Sequence, residues 1–315
     1  MNYVSPVPRH RRATPSRCAV LGRRLKDNVR RFERRGVRIP HASRLVREAR
    51  ALAEVATARA FPADRRSRRI VANGIRDAYE FRAIAQLVSS SQVASLAEDL
   101  RSALKGTPEQ GEAGRRPYQF QSQLWMGSIF LHGPVRPTVV PQGATPAPDF
   151  ILDVEGRTYG LEVKRPGKRA RLREQIKSAR DQLAAQQMRG GVAIDVSDCI
   201  SDQVRFSDAS PPRFAPQLLI DQEFEALYKE CGHVVFDEES RRHQPGFERV
   251  VFLIVYANGW RWTFGGPRGP ELFTASQFGR FLTSKGNLPY WDADRIRDAY
   301  IHGLKATGMH FSRVD

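Results

Sequence analysis

Residues 148–166 constrain the fold of this 315-residue chain most, because their polarity alternates on either side of a short turn. The segment reads PDFILDVEGRTYGLEVKRP, in which two short apolar runs flank a Glu-Gly-Arg sequence. Side chains of an extended strand alternate between its faces, and a turn containing glycine folds one run back on the other. The segment therefore predicts a β-hairpin with one apolar face and one face that carries Glu162 and Lys164.

Three residues of this hairpin have the chemistry of a metal-dependent phosphodiesterase. Asp149 begins the first run, and the turn brings it beside Glu162 and Lys164. A pair of carboxylates suits Mg²⁺ or Mn²⁺, which lowers the pKa of a bound water and stabilises charge on a phosphate. A lysine at this place orients the water or offsets the developing charge. The alternative is an ordinary hairpin whose Glu and Lys side chains face solvent, since short motifs also occur by chance.

Pro148-Asp149 followed by Glu162-Val163-Lys164 resembles the motif of the PD-(D/E)XK nuclease superfamily, which has the restriction-endonuclease-like fold. The resemblance implies an α/β fold with an αβββαβ core and a mixed central sheet. It also implies that Asp149 and Glu162 are catalytic metal ligands for Mg²⁺ or Mn²⁺, that the Val163 carbonyl is a third ligand, and that Lys164 is the catalytic lysine. The resemblance covers residues 116–200 and, more loosely, 201–260.

The flanking periodicity predicts the same order of elements. Apolar spacing predicts helices over residues 119–131 and 172–183, and apolar runs predict strands over 135–140 and 191–196, the latter buried on both faces. A helix near 222–230 and a strand over 250–256 continue the pattern. The alternating aromatic residues from Trp260 to Phe264 indicate a further core strand, with base stacking as the alternative.

Two features depart from the superfamily pattern. Many members carry an acidic residue on the helix before the first strand, whereas this helix has Gln119, Gln121 and Gln123 and no acid, so a third carboxylate ligand is in doubt. Asp153 shares a strand face with Asp149 but lies roughly 13 Å from it at the rise of a strand. Asp153 is therefore expected to be structural.

The charge of the chain indicates a polyanionic partner. Residues 1–116 hold 26 basic and 11 acidic residues, a net of +15, against 25 and 23 in the remainder. Neutralising phosphates releases counterions, so such an excess favours nucleic acid, although a GC-rich genome also enriches arginine. After Lys164 the basic residues continue, and we expect them to line a nucleic-acid cleft: Arg165, Lys168, Arg169, Arg171, Arg173 and Lys177.

Breaks in the pattern divide the chain. Residues 1–16 are rich in Pro and Arg and predict a disordered basic arm, 17–105 predict an Arg-rich helical domain, 106–117 a linker, and 118–315 the nuclease-like domain. The helical domain is either a DNA-binding module or a cover packed on the catalytic core. No apolar run approaches the ~20 residues that span a bilayer. Three scattered cysteines indicate a reducing compartment, which favours a cytoplasmic protein. The resemblance to restriction-endonuclease-like nucleases favours a bacterial or phage-related source.

These observations favour an Mg²⁺-dependent DNA endonuclease of restriction, anti-phage defence or DNA processing. A non-catalytic nucleic-acid-binding or assembly subunit with the same fold is the alternative, and RNA in place of DNA is a third. The presence of all three motif residues favours the enzyme. A homodimer and a partner subunit both stay open, and no membrane partner is expected.

Overall fold

The computed structural model describes residues 9–40, 43–90, 93–104, 115–140, 147–201, 206–209, 215–236, 247–264, 270–283 and 289–307. The helices are α1 (Pro15–Arg34), α2 (Arg44–Ala58), α3 (Arg65–Ser90), α4 (Val93–Leu104), α5 (Arg115–Phe130), α6 (Leu172–Ala185), α7 (Ala215–Phe236) and α8 (Tyr290–Ala306). The strands are β1 (Arg9–Ala13), β2 (Arg136–Val139), β3 (Phe150–Val154), β4 (Arg157–Lys164), β5 (Gly190–Asp195), β6 (Phe206–Ala209), β7 (Val250–Phe264) and β8 (Pro270–Thr283).

The strands form one mixed sheet in the order β1-β8-β7-β5-β4-β3-β2, with β6 paired to β7. The pairs β4–β5, β5–β7 and β6–β7 are parallel and the others are antiparallel. Between α5 and β5 the elements follow the predicted order of helix, three strands, helix and strand. The prediction of an α/β protein with a mixed sheet is therefore confirmed.

The β3–β4 hairpin forms as the sequence predicts. Its turn consists of Glu155 and Gly156, both with positive φ (50° and 81°), the backbone that a two-residue type I′ turn requires. The turn places Phe150 opposite Leu161 and continues to Val154 opposite Arg157. Because Asp149 precedes Phe150, this register puts Asp149 next to Glu162.

Helices cover both faces of the sheet. One hydrophobic cluster joins α1–α5 and α8 to one face, and a second joins α6 and α7 to the other. Within β5, Ala193 belongs to the first cluster, while Val192 and Ile194 belong to the second. The predicted burial of this strand on both faces is thus confirmed.

The N-terminal helices are continuous with the sheet through the first cluster. Leu52 of α2 and Phe81 of α3 are fully buried in the same cluster as Leu124 of α5 and Phe150 of β3. The helical segment predicted over 17–105 therefore packs on the sheet and shares its core. Most of the predicted linker lies outside the described residues, and α5 begins at Arg115.

The start of the chain differs from the disordered arm predicted over 1–16. Residues 1–8 lie outside the described part, but Arg9–Ala13 pair antiparallel with β8 from Gln277 to Phe273, and α1 begins at Pro15. An edge strand offers unpaired backbone groups that even a basic segment without apolar periodicity can satisfy. Composition alone does not reveal such a partner, which is more than 250 residues away in the sequence.

Candidate functional site

The hairpin register brings the two predicted carboxylates together at one end of the sheet. The Asp149 backbone N–H donates to Glu162 Oε2 at 3.2 Å, and the Val163 N–H donates to Asp149 Oδ2 at 2.8 Å. Each carboxylate thus accepts a hydrogen bond from the strand that carries the other. This reciprocal contact fixes both side chains on the backbone of the hairpin.

Lys164 completes the predicted set. Its Nζ lies 2.5 Å from Glu162 Oε1 and also 2.5 Å from Gln182 Oε1 of α6. The side chain is only 11% exposed. The ammonium is therefore held beside the carboxylate pair instead of extending into solvent. The structure brings Asp149, Glu162 and Lys164 into one cluster, as the motif predicts.

Three glutamines support this cluster, although none of them belongs to the sequence motif. Gln123 Nε2 donates to Asp149 Oδ1 at 2.9 Å. Gln119 accepts from the Arg165 N–H and donates to the Val163 carbonyl, so it holds the end of β4 against α5. Gln182 accepts from Lys164 and donates to the Ala147 carbonyl. The spacing of Gln119 and Gln123 could have pointed to these two glutamines, because residues four apart on a helix share a face.

Burial controls the electrostatics of the carboxylate pair. Asp149 is 8% exposed and Glu162 is 1% exposed. Burial raises the pKa of Asp149 well above its usual range, and the neighbouring Glu162 raises it further. Burial also raises the pKa of Glu162, although Lys164 opposes that change. Neither carboxyl ionises readily while the other lies beside it. A cation bound between them would favour the ionised form of both. The alternative of an ordinary hairpin whose Glu162 and Lys164 side chains face solvent does not fit this burial.

The donor set fits a hard divalent cation. Mg²⁺ binds through one or two carboxylates and fills its other positions with water and phosphate oxygens. Asp149 and Glu162 would hold the ion. Within the described ranges, no group of three or more His, Cys, Asp or Glu side chains is arranged to hold a metal. The Val163 carbonyl already accepts from Gln119 at 2.9 Å, so ligation there would use its second lone pair.

A cavity of about 540 Å³ lies over the cluster. Asp149, Glu162, Lys164 and Gln182 line it. Helix α4 of the N-terminal helices also contributes to the lining, through Glu98 and Asp99. These two acids could not be connected with the site from the sequence, because nothing local to α4 indicates that it lines the same cavity as a hairpin some 50 residues away.

Arg165 requires a correction. It was predicted to contact nucleic acid, yet its side chain is only 4% exposed and pairs with Asp195 at 3.0 Å and Asp198 at 2.9 Å. The ion pairs with these two carboxylates hold the guanidinium in the interior. Its predicted phosphate contact does not fit this structure. Arg165 instead ties the end of β4 to the end of β5 and the segment that follows it.

The other basic residues predicted to contact nucleic acid are exposed on the surface: Lys168, Arg169, Arg171, Arg173 and Lys177. Arg169 pairs with Glu230 at 2.7 Å. None of the five is among the described residues that line the cavity. Gln182 lies nine residues after Arg173 on α6, roughly 13 Å along the helix at 1.5 Å per residue. Their contact with nucleic acid stays a prediction for a surface beyond the cavity.

Part of the arginine excess in the N-terminal helices is buried. Arg44 is fully buried, pairs with Asp77 at 2.7 Å and donates to Gln121 at 2.6 Å. The guanidinium groups of Arg44, Arg76 and Arg165 lie 4.4, 4.8 and 5.0 Å from the centre of the Tyr118 ring. These arginines connect α2 and α3 to α5 and β4. Their guanidinium groups contact other buried side chains, so these arginines cannot be counted as phosphate contacts.

No family model, curated protein or solved structure matches this chain. In the part of the chain that the structure describes, no helix is both long enough and apolar enough to cross a membrane.

Proposed function

We propose that this protein is a divalent-metal-dependent phosphodiester hydrolase, a nuclease of the PD-(D/E)XK type. The observation that carries the proposal is the buried pair Asp149 and Glu162, joined to Lys164 inside a cavity. An ordinary hairpin has no reason to bury two carboxylates with raised pKa values beside each other. Perturbed carboxyls in a concave site are typical of catalytic centres.

Each residue has a defined part in the hydrolysis. Asp149 and Glu162 would hold the cation, which would supply Lewis acidity and an activated water. The water gives up a proton as its oxygen bonds to phosphorus, the bond from phosphorus to the leaving ester oxygen breaks, and that leaving oxygen takes up a proton, so that the number of protons balances. Lys164 lies where it can orient the water or offset the negative charge that develops on the phosphoryl oxygens. Gln182 and Gln123 keep Lys164 and Asp149 in position.

The element order supports the same proposal. Helix α5, strands β2–β4, helix α6 and strand β5 match the αβββαβ core that the superfamily resemblance implies. The site lies where β3 begins and β4 ends, and both strands are antiparallel neighbours. A non-catalytic subunit with this fold would not need to keep all three motif residues in one cluster.

The proposal is tested by incubating the protein with plasmid, linear duplex, single-stranded DNA and RNA, in Mg²⁺, Mn²⁺ or EDTA. We expect cleavage in either metal and none in EDTA. Asp149→Asn and Glu162→Gln should lose cleavage while they keep the fold, as judged by circular dichroism. Asp153→Asn is the matched control, because Asp153 lies on β3, is exposed and accepts a hydrogen bond from the Gly156 N–H, away from the site. Wild-type rates in either site variant would refute the assignment.

A further prediction concerns Lys164. Lys164→Ala should slow the chemical step by about 10²-fold or more, the range for loss of one group that stabilises developing charge. Substrate affinity should change little, because the group acts mainly in the transition state. Single-turnover kinetics and anisotropy titrations separate the two effects. Equal losses of rate and affinity would make Lys164 a phosphate anchor.

A further inference from the structure

The excess positive charge of the N-terminal helices lies at their surface. The buried ionic side chains of α2 and α3 are three basic and three acidic: Arg44, Arg68, Arg76, Glu48, Asp77 and Glu80. On α1 and the segment after it, residues 15–38, eight exposed basic side chains accompany two exposed acidic ones, against five and two over residues 43–70. Helix α1 and the residues after it therefore carry the densest part of the exposed excess.

Three arginines form a line along the exposed face of α1. Leu21 and Leu25 are buried in the first hydrophobic cluster and attach the opposite face of the helix to the core. At 3.6 residues per turn, Arg30 and Arg34 lie within about 20° of Arg23 around the helix axis. All three are exposed, and the line they form is about 16 Å long at 1.5 Å per residue.

The protein itself neutralises little of this charge. Arg30 lies 3.7 Å from Asp27, but the two side chains are 69% and 61% exposed, and pairs so open to solvent are weak. In the part of the chain that the structure describes, Arg23, Lys26 and Arg34 have no carboxylate at pairing distance. Lys26 and Arg34 each lie four residues from Arg30, and like charges at this spacing destabilise a helix. A bound polyanion would offset that repulsion.

The chemistry of this face fits nucleic-acid phosphates better than a membrane. Seven of its eight exposed basic residues are arginines, which bind phosphate oxygens through two parallel N–H bonds. A helix that lies on a bilayer inserts apolar side chains beside its basic ones. On α1, Val20 is the only large apolar side chain that is exposed, so a bilayer would bury little apolar surface there.

We infer that the exposed face of α1 binds the phosphate backbone of nucleic acid through Arg23, Arg30 and Arg34. A duplex carries one phosphate charge per about 1.7 Å of its axis, so the length of this line offers more phosphates than the three arginines need. The rings of Phe32 on α1 and Phe81 on α3 meet edge to face at 6.1 Å, which fixes α1 on the shared core. The N-terminal helices then serve both as a cover of the core and as a binding surface. The inference concerns binding and not the chemical step.

The first test is the salt dependence of affinity, measured in EDTA with a labelled oligonucleotide as duplex and as single strand. Arg23→Gln/Arg30→Gln/Arg34→Gln should flatten the slope of log affinity against log salt by about 2.7 for the duplex or about 2.1 for the single strand, at about 0.9 or 0.7 per lost contact. The control Arg136→Gln/Arg189→Gln/Lys305→Gln removes the same charge from exposed positions outside α1 and should keep the wild-type slope. Equal changes in both triple variants, or a change in neither, overturn the inference.

The second test locates the contact while the arginines stay in place. Ser16 is exposed and lies within about 20° of Arg23 around the axis of α1, whereas Thr158 is exposed at the start of β4. Ser16→Cys and Thr158→Cys are labelled with a maleimide, with and without the oligonucleotide. We expect the oligonucleotide to slow labelling of the Ser16→Cys thiol at least about fivefold and to leave that of Thr158→Cys unchanged. Equal protection of both thiols, or of neither, refutes the proposed contact.

Two further probes separate nucleic acid from other polyanions. Vesicles that contain phosphatidylserine and a poly-glutamate peptide should bind at least about tenfold more weakly than the oligonucleotide at the same salt concentration. Binding to either probe that is as tight as to the oligonucleotide, and that is lost in Arg23→Gln/Arg30→Gln/Arg34→Gln, overturns the inference. Binding through α1 without cleavage in Mg²⁺ or Mn²⁺ would support the inference and refute the proposed function. Cleavage by a protein whose α1 face binds no nucleic acid would do the reverse.

Discussion

Glu80 offers a stability test of the buried ionic network that joins the N-terminal helices to the sheet. It is 6% exposed, accepts from Gln121 at 2.5 Å, and lies 3.7 Å from Arg76. Burial raises the pKa of Glu80 from 4.5 to about 7, against the opposing effect of Arg76. The folded protein therefore holds a proton on Glu80 at pH values where the unfolded chain has lost it.

The sign and size of the effect follow from this difference in pKa. Below about pH 4.5 the carboxyl is protonated in both states, and its contribution to the free energy of unfolding is fully present. As the pH rises through the folded pKa near 7, that contribution is lost. One pKa unit corresponds to about 1.4 kcal/mol, so the loss is about 3 kcal/mol. Glu80→Gln removes the titrating group but keeps a side chain of the same shape.

We expect Glu80→Gln to gain about 3 kcal/mol relative to wild type between pH 4.5 and pH 8. Urea unfolding, followed by circular dichroism at several pH values in this range, measures the difference. Glu33→Gln on the exposed face of α1 is the control and should show no comparable trend. A difference between Glu80→Gln and wild type that is the same at both ends of the range would refute the account of Glu80.

Two other predictions test how the fold supports the site. Deleting residues 1–114 should give an insoluble or molten protein with no cooperative thermal transition, because α1–α4 share one hydrophobic core with Leu124 and Trp125. A truncated protein that melts sharply would contradict this. Gly190→Ala should destabilise the protein by several kcal/mol and weaken metal binding, because the new Cβ would lie 2.0 Å from the Gly160 carbonyl oxygen on β4. An unchanged midpoint of urea unfolding would show that β4 and β5 can move apart without loss of stability.

The hairpin and the order of elements were predictable because they depend on local patterns. Alternation over 148–166 and a Glu-Gly turn define β3 and β4 without any long-range information. The positions of Asp149 and Glu162 follow from that register. The proximity of Lys164 follows as well, since it lies two residues after Glu162 on the same face.

The remainder of the site depends on packing between distant segments. Arg165 and Lys168 look alike in sequence, but only Arg165 meets Asp195 and Asp198, which lie at the end of β5 and just after it, outside the motif. Gln182 reaches Lys164 because α6 crosses β4 at one particular position. Glu98 reaches the cavity only because α4 packs on α5. The net charge of the N-terminal segment likewise does not show which of its arginines are buried and which are exposed.

Asp149 and Glu162 are proposed to hold a divalent cation together. The most direct measurement is an isothermal titration of wild type, Asp149→Asn and Asp153→Asn with Mn²⁺ at pH 7, in buffers of different ionisation enthalpy. Because burial raises the pKa of both carboxyls, metal binding should release protons in wild type. We expect wild type and Asp153→Asn to bind alike with proton release, and Asp149→Asn to lose binding. Undiminished Mn²⁺ affinity in Asp149→Asn would contradict the claim.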